Sequence, residues 1–161
     1  MARSKQQFGE GDWIAIPLPK RGGWGVGLIA RMRSPSLVGY FFGPRRDVPP
    51  TLADVVALRP GDALLIANAS DMGLRSGEWL ALGSLPGWHR QAWPMPRFGT
   101  QEGDRFYINT YDEDAPNRLL RQERATGEQV AALPPDVASG HTALAIKLDK
   151  AIAGPEDRTA A

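Results

Sequence analysis

The stretch from Gly11 to Arg31, Gly11-Asp12-Trp13-Ile14-Ala15-Ile16-Pro17-Leu18-Pro19-Lys20-Arg21-Gly22-Gly23-Trp24-Gly25-Val26-Gly27-Leu28-Ile29-Ala30-Arg31, constrains this chain more than any other. Two short apolar runs, Trp13 to Leu18 and Val26 to Ala30, flank a cluster of Pro, Gly and basic residues, the composition of two strands joined by a tight reversal. A β-hairpin is predicted. Gly22-Gly23 can supply the positive φ that a primed turn or bulge needs, and Pro17 and Pro19 suit a strand end because proline donates nothing to a ladder. The same glycines do not make a phosphate loop. No register of Gly22 to Leu28 fits G-x-G-x-x-G, no G-K-[ST] follows, and the next residues read as a strand where a nucleotide site needs a helix. Gly25 and Gly27 are instead predicted to lie where a neighbouring backbone or large ring packs closely on the strand.

Around that hairpin the chain offers further short strands. Leu37 to Phe42 is β-branched and aromatic between turn residues, Ala63 to Ala67 and Glu78 to Gly83 follow, and the turn-forming Asn68 to Gly77 separates those two. Arg105 to Tyr111 alternates as a strand, and Arg118 to Glu123 is predicted to pair back after a turn at Asp112-Glu113-Asp114 and Ala115-Pro116-Asn117. Thr51 stands three residues ahead of Asp54, and apolar residues at 52, 55, 56 and 58 predict a short helix stopped by Pro60-Gly61. Its apolar face would cover one side of the sheet. Val137, His141, Leu144, Ala145, Leu148 and Ile152 recur at spacings of three and four, so a C-terminal amphipathic helix is predicted, ending at Gly154-Pro155. The expected fold is α+β and mainly β: a twisted antiparallel sheet or partly open β-barrel, with one short helix and the C-terminal helix packed on it. A chain of 161 residues can bury about two-thirds of its unfolded surface without staples, which fits one globular domain over 8–154 with a disordered tail at 1–7 and a C-terminal tail at 155–161.

Composition excludes several functions. There is no cysteine, so disulfides, thiolate metal sites and cysteine nucleophiles are absent. No apolar h-region opens the chain and no apolar run reaches the length of a membrane span, which predicts a soluble, cytoplasmic protein. The net charge of +1 divides unevenly, +5 over residues 1–99 and −4 over 100–161, yet the basic residues are scattered singly or in pairs rather than run together. Every Trp, Tyr and Phe lies at or before Tyr111. The large-ring core must therefore come from the first two-thirds, and Trp13, Trp24, Phe41, Trp79 and Phe98 are its expected members.

Catalysis has no visible address. Of the two histidines, His141 opens an amphipathic helix without a partner at ligand spacing, and His89 stands alone. Asp112-Glu113-Asp114 lacks the D-x-D-x-D-G series of a calcium loop, and Ser70, Ser76 and Ser84 lack a G-x-S-x-G elbow. No metal or cofactor is expected. The remaining functional signal is a strap between Leu85 and Phe98, broken by Pro86, Pro94 and Pro96 and carrying Trp88, His89, Arg90, Gln91, Trp93 and Arg97. Trp and Arg are over-represented at binding hot spots, since a large ring buries area and a guanidinium pairs with acids. Trp88, Arg90, Trp93 and Arg97, with Asp112, Glu113 and Asp114, are the candidate partner-binding residues. The alternative for the two rings is that they plug an end of the sheet.

The order of these motifs resembles the immunity protein 26 family of bacterial polymorphic toxin systems. The likeness is carried by Gly11 to Leu18 followed by Trp24-Gly25-Val26-Gly27, the strand ending Tyr40-Phe41-Phe42, Thr51-Leu52-Ala53-Asp54-Val55, Gly73 to Gly83 with Leu85-Pro86, and Pro96-Arg97-Phe98, over roughly residues 8 to 135. It implies a small, non-enzymatic cytoplasmic protein that binds and neutralises a cognate toxin domain encoded by a neighbouring gene. Were that toxin basic, the acidic turn would be the expected contact. The alternative class is a nucleic-acid-binding β-barrel, with Trp88 and Trp93 as stacking platforms and Lys20, Arg21, Arg45 and Arg46 on phosphates. A third reading is a small-ligand pocket lined by aromatics with His89 as its polar reagent.

Overall fold

The computed structural model describes residues 7–154, so all but Gln7 of the expected N-terminal tail and the whole expected tail at 155–161 lie outside the described residues. The first hairpin is formed by β1 (Asp12–Pro17) and β2 (Trp24–Arg33), paired antiparallel from Trp13 opposite Leu28 to Pro17 opposite Trp24. Gly22 and Gly23 both take positive φ, 72° and 76°, and the turn closes by hydrogen bonds from Leu18 N to Gly23 O and from Gly22 N to Leu18 O. The strand β3 (Ser36–Arg46) pairs with β2, followed by β4 (Leu65–Ser70), β5 (Leu80–Ser84) and, much later, the two-residue β9 (Ala138–Ser139). Together they form a six-stranded sheet in the order β5-β1-β2-β3-β4-β9, antiparallel except for β4 with β9. A second sheet of three antiparallel strands comprises β6 (Phe98–Glu102), β7 (Arg105–Tyr111) and β8 (Leu119–Ala125). Neither sheet closes into a barrel.

Both faces of the large sheet are covered. On one, Ile14, Ile16, Ile29, Leu37 and Phe41 meet Leu144, Ala145 and Leu148 of α4 (His141–Ala153), with Leu74 of α2 (Met72–Ser76) and Trp79. Leu144 and Leu148 are fully buried, each contributing about 2 kcal/mol by removal from water. On the other face Trp13, Val26, Leu28, Tyr40 and Phe42 meet Val55 of α1 (Leu52–Val55) and the two rings of the strap, Trp88 and Trp93. The alternation of Ile14 and Ile16 with Trp13 and Ala15 along one strand feeds both layers.

Glycine makes the helix-covered face fit. A Cβ on Gly27 would lie 2.7 Å from Cδ1 of Phe41, one on Gly39 2.6 Å from Cζ of the same ring, and one on Gly25 2.8 Å from Cδ2 of Leu148. Phe41 thus lies over two glycines and α4 approaches a third, the close packing predicted for Gly25 and Gly27. The helix is further tied to the hairpin turn. Asp149, 2 % exposed, accepts hydrogen bonds at Oδ2 from Lys20 N at 2.8 Å and Arg21 N at 3.3 Å, and at Oδ1 from Arg21 Nε at 3.0 Å. Burial pushes its pKa up, but these donors outweigh burial and leave it below the ordinary value.

Several boundaries differ from the sequence reading. Asn68 to Ser70 continue β4, and α2 occupies part of the remaining stretch read as turns. Asn68 is held in place by donating from Nδ2 to Pro116 O. The strand β6 and the helix α3 (Gly127–Ala131) were not anticipated. Val137, placed on the helical face by spacing, precedes α4 and is exposed. Trp24 is only half-buried, whereas Trp13, Phe41, Trp79 and Phe98 are buried.

Three of the four sheet edges are interrupted or partly occupied, and the fourth is the two-residue β9. Leu82 is an extra residue in β5, since Trp13 faces Gly83 while Ile14 faces Ala81, and Leu120 is extra in β8, since Thr110 faces Arg121 while Tyr111 faces Leu119. At β6, Gly99 donates to Pro134 O and accepts from Asp136 N, so the chain around Pro135 lies along that edge.

Candidate functional site

The strap leaves β5 at Ser84 and crosses the face of the large sheet that carries Trp13, Tyr40 and Phe42. Its Trp93 ring stands edge-on to all three, with centroids 5.7, 5.3 and 6.1 Å away. Such edge contacts add about 0.5–1.5 kcal/mol each beyond buried area. Trp88 lies against Gly11, where a Cβ would sit 2.8 Å from the indole, and Gly11 also takes φ 90°. Both rings therefore pack into the core cluster, while Arg90 and Arg97 remain at the surface side of the strap. Tyr40 donates its hydroxyl to Pro94 O, and burial, partly offset by the Arg31 charge, raises the Tyr40 pKa.

Beneath the strap lies an arginine that the sequence reading passed over. The pairing of β2 with β3 shifts between Ile29 and Arg31, so Ala30 is an extra residue and Arg31 comes opposite Val38, on the same face as Tyr40 and Phe42. The side chain is 1 % exposed. Its Nη1 donates to Ala30 O at 2.6 Å and Trp93 O at 3.0 Å. Its Nη2 donates to Arg90 O at 3.3 Å and to Glu113 Oε1 at 2.7 Å, and Nε reaches the same carboxylate at 3.2 Å. A buried cation costs several kcal/mol unless paired, so both the strap carbonyls and Glu113 are recruited by it. Glu10 lies 4.0 Å from Arg31 and accepts from Arg90 Nη2 at 2.6 Å, and Arg90 also pairs with Asp114 at 3.0 Å. The Glu10 hydrogen bond, then that of Asp114, raises the Arg90 pKa above its ordinary value despite burial.

The acidic turn is thereby brought to the strap. Asp112 Oδ1 accepts from Asp114 N at 2.9 Å, Arg118 lies 3.9 Å from the Asp112 carboxylate, and Ala115 and Pro116 are buried against the large sheet. Between strap and turn opens a cleft of about 670 Å³, lined by Arg90 and Arg97 on one side and Asp112, Glu113 and Asp114 on the other, with Leu120 exposed beside them. Five of the seven candidate binding residues meet there; Trp88 and Trp93 instead line a smaller cavity of about 130 Å³ with His89. At one end of the cleft Tyr111 donates its hydroxyl to Asp136 at 2.6 Å, and burial with that carboxylate pushes its pKa up to about 12.

The residues that the nucleic-acid reading assigns to phosphates are mostly engaged. Arg21 is held by Asp149, Arg45 by Asp47 and Gly22 O, and Arg46 lies 3.7 Å from Asp54. His141 Nε2 lies 3.3 Å from Glu78. Among the described residues no group of three or more His, Cys, Asp or Glu side chains is placed to hold a metal ion, and no helix is long and apolar enough to cross a membrane. Arg31 and Glu10 escaped the sequence reading because neither belongs to a polar cluster. The available signal was a cation at the end of the apolar run Val26 to Ala30, which must find an acid once that strand is buried.

No curated protein and no solved structure matches the chain significantly. A family model described as Immunity protein 26 matches residues 9–107, from before β1 into β7, leaving β8, α3, β9 and α4 beyond the match. With that match spanning more than half of its length, the chain belongs to the Immunity protein 26 family.

Proposed function

We propose that this protein binds a cognate bacterial toxin domain, encoded by a neighbouring gene, and neutralises it by contact in the cytoplasm without catalysis. Family membership supports an immunity role. The observation that carries the choice of face is the convergence of strap and acidic turn on one cleft whose walls are already cross-tied by Arg31 and Arg90. Side chains fixed before association lose little rotamer freedom on binding, which leaves more of the contact energy as affinity. A stable complex needs roughly 800 Å² from each partner, more than the cleft alone supplies, so the exposed Leu119 and Leu120 of β8 belong to the same contact. Residues 8–154 act in this reading as one domain, since Asp149 in the last helix holds the first hairpin turn.

The test is growth rescue. The neighbouring gene product is expressed alone and with this protein, and the pair is purified together. Arrest by the neighbour, relief by this protein and a stable complex are expected. Relief without a complex, or a harmless neighbour that does not co-purify, refutes the reading.

A further inference from the structure

We infer that Arg97 is the point of charge recognition in this contact, and that the toxin presents to it an acidic side chain on an extended segment. The inference rests on the inhibitor reading above. It arises from which charges around the cleft are already spent. Glu113 is held by Arg31, Asp114 by Arg90, Asp112 lies near Arg118, and Glu123 of β8 is paired with Arg121 at 2.9 Å. Arg97 is exposed and makes no ion pair or side-chain hydrogen bond with the described residues. The unpaired charges of the two cavities are therefore guanidinium groups, Arg97 and Arg124, and Arg124 lies over the Tyr107 ring while Arg97 alone borders both cavities.

Position strengthens the assignment. Arg97 lines the cleft of about 670 Å³ and also a second cavity of about 370 Å³, which lies over β7 and β8 beside α3 and includes Ile108 and Leu133. The two cavities meet at this one side chain, so an extended segment could run from one to the other past the cation. Pro94 and Pro96 fix φ just before Arg97, and Phe98 directly after it is fully buried, so the backbone presenting the guanidinium is anchored on both sides. A carboxylate pairs with such a group in two parallel hydrogen bonds, which Lys reproduces poorly. Apolar neighbours of that carboxylate would meet Met95 and Leu120 on one side and Ile108 and Leu133 on the other.

The experiment measures affinity of the full chain for its toxin by calorimetry, with R97K, R97A and R97E, and with R105E as the control. Arg105 on β7 is also exposed and has no ion pair among the described residues, but it lines neither cavity. Expected losses are about 10-fold for R97K and R97A and 100-fold or more for R97E, with steeper salt dependence in the native protein, while R105E stays within threefold. Charge reversal of one acidic toxin residue should restore binding to R97E. Near-ultraviolet circular dichroism identical to the native protein shows that the variants fold. A complex that forms but is indifferent to R97E overturns this inference alone. Absence of any complex with the native chain overturns the inhibitor reading and this inference with it.

Discussion

Replacement of Asp149 by Asn tests how the last helix is fastened to the first hairpin. The carboxylate is 2 % exposed and accepts two main-chain N–H groups, of Lys20 and Arg21, together with Nε of Arg21. Asparagine keeps the shape but carries one acceptor and one donor. If its oxygen stays on the two amides, both bonds change from charge-assisted to neutral, about 1 kcal/mol each. Its amide nitrogen then faces Arg21 Nε, donor against donor. The Arg21 side chain is 35 % exposed and recovers water, so the lost ion pair itself adds little. The total is a loss of about 2–3 kcal/mol, or roughly 5–10 °C in Tm for a domain of this size. Urea unfolding followed by tryptophan fluorescence reads it directly. The pH dependence has a definite sign. Asp149 is held below its ordinary value of 3.8, so its contribution is complete above that pH and is lost as pH falls through the lower folded value. The difference between native and D149N should accordingly be full at pH 7 and shrink below about pH 4. A loss under about 0.5 kcal/mol at pH 7, or a gap that persists unchanged at pH 2.5, would refute the clamp.

Further outcomes follow from the same geometry. G39A should cost more than about 2 kcal/mol, because its Cβ would meet Phe41 at 2.6 Å and the Leu28 carbonyl at 3.2 Å, whereas G61A, in open space, should stay within about 0.5 kcal/mol; thermal unfolding separates them. R31M should release the strap, speeding amide hydrogen exchange around Arg90 to Trp93 well beyond any change in β1 and β2, and E113Q should do so more weakly because half of Glu113 already meets water. Y111F should cost about 1 kcal/mol at pH 7. The folded pKa of Tyr111 is raised, so its contribution is complete below 10.0 and lost as pH rises through about 12; phenolate absorbance should show two late-titrating tyrosines, Tyr40 and Tyr111, of which Y111F removes one.

The hairpin, the third strand and the last helix were legible because each rests on a local rule: paired glycines at a reversal, β-branched runs, and apolar spacing of three and four. The strand β6 was not, because Phe98-Gly99-Thr100-Gln101-Glu102 buries only its first two residues and its pairing depends on β7. The helix α3 did carry a signal, Thr126 three residues before Gln129, and these two cap each other reciprocally. In the site, spacing could identify the strap and the acidic turn but not their meeting, which depends on the extra residue Ala30 aiming Arg31 between them. Nor could composition show that Trp93 turns inward. A ring in a proline-rich segment has the same residue type whether it faces a partner or three aromatic neighbours.

The extra residues in β5 and β8 bear on how such a protein can be stored. In the inhibitor reading proposed above, copies without a partner must keep their strand edges from pairing with one another. A straight strand approaching β5 would fall out of step at Leu82, and one approaching β8 would do so at Leu120 and then meet Arg121, Glu123 and Arg124. The remaining edges offer only the two residues of β9 and a β6 already lined by Pro134 to Asp136. Irregularity at the borders is what lets a mostly β chain be crowded against its own copies without zipping into them.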